Sequence, residues 1–137
     1  MRERKKYMKR VISTLLITIS IFMAFSMTAF AAAPVSSVSI IEKGVWNSNF
    51  GSPALDSMNG HVYVVVRTIG HGKSVATYDG DRAKEFWYDS INYGTPIGFD
   101  RYYDCGPVTP GSHTFKISVT SDSSPYNTIT KTATIKN

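Results

Sequence analysis

Apolar and polar positions alternate in short stretches from residue 32 onward, and no long window sets its apolar residues at helical spacing. Gly, Pro, Asn and Asp interrupt these stretches about every 8–12 residues, the rhythm of a sandwich or barrel. The pattern predicts strands over Val38–Glu42, Val45–Asn47, His61–Ile69, Ser74–Tyr78, Glu85–Asp89, Phe99–Asp104, His113–Thr120 and Asn127–Ile135. In His61–Ile69, Val62, Val64 and Val66 share one face and Tyr63 and Val65 the other, so both sides are apolar and a central strand is expected. Phe115, Ile117 and Val119 alternate with Lys116, Ser118 and Thr120, and Ile129, Ala133 and Ile135 share a face, as in strands with one buried side.

Turn chemistry connects these elements. Ser121-Asp122-Ser123-Ser124-Pro125 predicts a hairpin between the last two strands, because its short side chains bond their own backbone. Gly70-His71-Gly72 predicts a second hairpin through the freedom of glycine at positive φ. Pro110-Gly111 opens the segment His113–Thr120 in a way that resembles the entry to the penultimate strand of immunoglobulin-like and fibronectin-type modules. The expected fold is therefore all-β: a small antiparallel β-sandwich of immunoglobulin-like architecture with about seven to eight strands.

The first 31 residues read differently. A basic run through Arg10 precedes an almost unbroken apolar stretch from Val11 to about Met27, and Ala29-Phe30-Ala31 supplies a small-x-small cleavage pattern. These features predict a signal peptide over 1–31, cleaved after Ala31, and a single domain over 32–137. An uncleaved anchor is the alternative, and it is the one membrane contact the sequence offers. The long basic start resembles that of Gram-positive secreted proteins, and the expected localisation is secreted.

Charge acquires a different meaning once that segment is set aside. The whole chain has a formal net charge of +5 and a pI near 9.4. Six of its 15 basic residues and one of its 10 acidic residues lie within 1–31, which leaves nine of each beyond. A neutral body has no broad cationic surface, so nucleic acid is excluded as an expected partner. One cysteine, Cys105, cannot make an internal disulfide. It is expected to be a buried, inert thiol, with pairing to another molecule as the alternative.

The segments Phe86-Trp87-Tyr88-Asp89-Ser90 and Arg101-Tyr102-Tyr103-Asp104-Cys105 echo one another. Strand alternation sets Trp87 and Asp89 opposite in direction to Phe86 and Tyr88, and Tyr102 and Asp104 opposite to Tyr103 and Cys105. An outward set of Trp87, Asp89, Tyr102 and Asp104, joined by Tyr93 from the intervening loop, would combine flat π-surfaces with carboxylate acceptors. Sugars require both, for stacking of their C–H faces and for bonding of their hydroxyls. The alternative is that these aromatics fill the core.

Other chemistry finds little support. Asp79-Gly80-Asp81 reads as a hairpin turn, and it and Asp100/Asp104 lack the remainder of a calcium loop. His61, His71 and His113 show no zinc spacing, and neither a nucleophile elbow nor a phosphate loop occurs. No metal, no cofactor and no enzymatic activity are expected.

The expected function is that of a secreted binding or interaction protein, recognising cell-wall glycan, another extracellular carbohydrate or an extracellular protein. Gly44-Val45-Trp46-Asn47 resembles the Trp-containing start of lactococcin-972-type bacteriocins, themselves small β-sandwiches. Over those few residues the resemblance implies a secreted antimicrobial or toxin-like protein. A third class is an extracellular inhibitor or structural protein acting through loops such as Asn47–Gly60 and Asn92–Gly98.

Overall fold

Strands form where the alternation predicts them, at β1 (Ser37–Val45), β2 (His61–Ile69), β3 (Gly72–Tyr78), β4 (Asp81–Ile91), β5 (Gly98–Pro107), β6 (Ser112–Ser121) and β7 (Thr128–Lys136). The structure is a computed structural model and describes residues 32–47, 53–92, 94 and 96–137. The predicted signal peptide lies outside these residues. Every strand pair is antiparallel, in the order β1-β2-β5-β4-β3-β6-β7. Strand β4 divides its partners: Asp81–Ala83 pairs with β3, and Lys84–Ile91 pairs with β5. The sheet thereby folds into two layers, β1-β2-β5-β4 and β3-β6-β7, which is the strand order of an immunoglobulin constant-type sandwich. Its outer edges approach each other, where Lys43 Nζ donates to the Thr134 carbonyl at 2.8 Å, so the arrangement is nearly a barrel.

Eight predicted runs become seven strands for a physical reason. A bulge between Ile40 and Glu42 absorbs one extra residue, and the ladder continues through Lys43 and Gly44 to Val45. The run Val45–Asn47 therefore begins on the last residue of β1, and Trp46 follows directly, its N–H donating to the His61 carbonyl at 2.9 Å.

The core follows the alternation. Val62, Val64 and Val66 of β2 and Tyr103 of β5 pack against Phe115, Ile117 and Val119 of β6 and Ile135 of β7. The other side of β2 is also covered, as expected for a central strand. Tyr63 and Val65 pack with Trp46 and with Met58, which the 3-10 helix Pro53–Met58 lays over that side of the sheet.

The Gly70-His71-Gly72 connection is not a hairpin. Its two strands lie in different layers, and the chain crosses between them. A Cβ at Gly70, where φ is +94°, would lie 2.2 Å from the Pro34 carbonyl oxygen, and one at Gly72 would lie 2.5 Å from that of Thr120. Glycine is required here by close backbone approach. The predicted hairpin of the last two strands does form, with pairs from Thr120 and Thr128 to Ser112 and Lys136.

The crossing also receives the start of the domain. Val35 is buried; its N–H donates to Ser121 Oγ at 2.8 Å and its carbonyl accepts from Asn127 Nδ2 at 3.0 Å. Ser121 Oγ in turn donates to Asn127 Oδ1 at 2.6 Å. His71 N–H donates to the Ala33 carbonyl at 2.9 Å, and Ser123 Oγ to that of Ala32 at 2.6 Å.

Candidate functional site

Three cross-strand rows organise the outer side of the four-stranded layer. Register sets Tyr63 beside Asp104 and Asp104 beside Lys84; Val65 beside Tyr102 and Tyr102 beside Trp87; Arg67 beside Asp100 and Asp100 beside Asp89. One end of this surface is closed over. Trp46 meets Tyr63 edge-on at 5.3 Å and Phe86 at 5.6 Å, and Phe86 meets Tyr102 at 6.2 Å. The other end is open, and Trp87 there is 51% exposed.

Trp87 Nε1 donates to Asp89 Oδ1 at 3.2 Å. The partner stands two residues along the same strand, so this bond draws the indole along the strand direction. Arg67 donates from Nε and Nη2 to the two oxygens of Asp100 at 2.8 and 2.7 Å, a bidentate pair that fixes both side chains beside Asp89. Partial burial, followed by the negative charges of Asp89, Asp100 and Glu42, raises the Tyr102 hydroxyl above its ordinary value, with Arg67 opposing. Tyr102 is thus a protonated donor among carboxylates. Tyr63, whose hydroxyl donates to Glu42 Oε1 at 2.5 Å, is pushed up to about 12, chiefly by burial and then by that bond.

Of the residues singled out from the sequence, Trp87, Asp89 and Tyr102 come together on this surface. Asp104 shares the face but lies in the row on the far side of Tyr102. Its Oδ1 accepts from Gly106 N at 2.8 Å and lies 2.9 Å from His61 Nδ1, so it braces the end of β5. Tyr93 lies outside the described residues. The alternation assigned Phe86 and Tyr88 to one face, and the structure corrects this. A register shift between Glu85 and Trp87 makes Phe86 a bulge residue, and its ring packs with Trp46 and Tyr102 on the outer side.

Sequence reasoning missed Arg67 and Glu42, and it considered Asp100 as a metal ligand alone. Arg67 had a visible signal, being the one Lys, Arg, Asp or Glu in an otherwise apolar strand segment. Together these groups present an aromatic face, a carboxylate, a hydroxyl donor and a held guanidinium. The one thiol is elsewhere: Cys105 packs against the inner core, and burial, then the charge of Asp104, pushes it up to about 12. Trp46, within the stretch that resembles a bacteriocin start, is buried in the outer cluster.

Residues 28–135 match a family described as Domain of unknown function (DUF4879). No curated protein and no solved structure matches the chain.

Proposed function

We propose that this chain, which belongs to the DUF4879 family, is exported from the cell and acts there as a non-enzymatic binding protein for an extracellular glycan. The observation that carries this reading is the half-exposed Trp87, bonded to Asp89 and set beside Tyr102 and the Arg67–Asp100 pair. A sugar ring stacks its C–H face on the indole, while its hydroxyls meet donors in Tyr102 and Arg67 and acceptors in Asp89 and Asp100. Arg67 and Asp100 are mutually oriented before any ligand arrives, so little ordering remains to oppose binding.

The experiment is retention of the purified protein on cell-wall and polysaccharide fractions. Wild type is expected to be retained. Trp87→Ala and Tyr102→Ala are each expected to weaken retention by roughly tenfold with the circular dichroism spectrum unchanged. Retention on no fraction, or equal retention by folded Trp87→Ala, overturns the reading. Export is tested separately, by sequencing the amino terminus of the protein from culture medium, which is expected to begin at Ala32.

A further inference from the structure

Strand β4 has a second edge. From Lys84 to Ile91 it pairs with β5 on one side, and on the other side no strand among the described residues meets it. Such an edge presents alternating N–H and C=O groups that another extended chain satisfies. It also carries two exposed aromatics, Trp87 at 51% and Tyr88 at 58%.

Its charges specify which chain fits. Lys84 and Asp89 stand an odd number of residues apart, which in a regular strand sends them to opposite faces. The bulge at Phe86 removes that difference. Lys84 lies opposite Asp104, Trp87 opposite Tyr102 and Asp89 opposite Asp100, so on the outer face Lys84 and Asp89 flank Trp87 at equal spacing. In the reverse direction the same three positions read Asp89, Trp87, Lys84.

We propose that this edge is a homodimer interface in which β4 of one protomer pairs antiparallel with β4 of its partner about a two-fold axis at Trp87. That operation sets Trp87 against its own copy and matches each Lys84 with the opposing Asp89, an isologous contact with opposite charges at both ends. Charges and bulges on an edge commonly prevent pairing. These are self-complementary and select one register, because moving the axis to Lys84 or to Asp89 sets like charges together. The two four-stranded layers become one continuous eight-stranded sheet. Two Trp87–Tyr102 rows then lie end to end on one face, which matches a ligand with repeating units. A single shared strand pair is a small interface, so the dimer dissociates on dilution. The inference stands on the register and the charges, and it does not require the glycan reading.

Sedimentation equilibrium of the purified protein, at low and high salt, tests it. A concentration-dependent dimer weakened by salt is expected. Lys84→Glu, which faces two carboxylates with glutamates, should raise the dimer dissociation constant about tenfold. The exchanged variant Lys84→Asp/Asp89→Lys is again self-complementary and should return to within about threefold of wild type. Lys84 is exposed and Asp89 half-buried, and circular dichroism checks the fold of each variant. A protein that stays monomeric to about 1 mM, or a Lys84→Glu variant that dimerises as strongly as wild type, overturns the proposal. Glycan retention by such a monomer would leave the proposed binding site standing and remove the dimer alone.

Discussion

His113 Nδ1 lies 2.6 Å from Asp79 Oδ2. The other ring nitrogen, Nε2, lies 3.0 Å from the Thr109 carbonyl oxygen and 3.3 Å from Thr109 Oγ1, so an acceptor stands beside each nitrogen and the arrangement favours the protonated ring. Asp79 Oδ1 accepts the Thr114 N–H at 2.8 Å, and Tyr78 stacks on the imidazole at 5.2 Å. His113 thereby ties the β3–β4 turn to the loop before β6.

This pair gives stability a pH window. The Asp79 bond, then that to Thr109, raises His113 above its ordinary 6.5, and the His113 bond, then that to Thr114, lowers Asp79 below its ordinary 3.8. The histidine contribution is complete below 6.5 and is lost as pH rises through the raised folded value. The carboxylate contribution is complete above 3.8 and is lost as pH falls through the lowered one. The urea midpoint should therefore lose this contribution on both sides of the interval, and His113→Gln should flatten the alkaline side. An NMR titration midpoint for His113 at or below 6.5 would count against this assignment.

Phe115 is fully buried and meets Tyr103 at 5.9 Å between the two layers. Its replacement by alanine should destabilise the domain by about 3–5 kcal/mol, read from equilibrium unfolding. A loss under about 1 kcal/mol would mean that the site collapses or is not central.

Gly70→Ala tests the layer crossing. The added methyl meets the Pro34 carbonyl at a backbone angle that side chains rarely adopt, so neither partner yields by rotating a side chain. The expected cost is roughly 2 kcal/mol or more, measured the same way.

Cys105 should be slow toward thiol reagents at neutral pH and fast once urea unfolds the chain. Its thiol is held near 12, and the thiolate is the reactive form. Rapid labelling of the native protein at neutral pH would contradict the burial described.

Local pattern carried much of the fold. The segment His61–Ile69 was legible to both ends because its valines alternate without a turn residue inside. From sequence strand β4 is legible only over Glu85–Asp89, since its beginning, Asp81-Arg82-Ala83-Lys84, carries a single small apolar residue. Three features lay beyond local reading. Gly70-His71-Gly72 has the same composition whether it turns a hairpin or crosses between layers, and distant Pro34 and Thr120 decide which. The bulge at Phe86 interrupts the period of two on which face assignments rest. The Arg67–Asp100 pair joins residues 33 apart, and nothing in either segment announces that β2 and β5 are neighbours.

The grip on Val35 gives the beginning of the domain a mechanical role. Ser121 at the end of β6 and Asn127 in the connection after it hold Val35, His71 in the layer crossing holds Ala33, and the entering tail is the peg inserted between these two distant parts of the chain. Trimming the protein to start at Ser37 would withdraw that peg, loosening both connections together while leaving every strand intact.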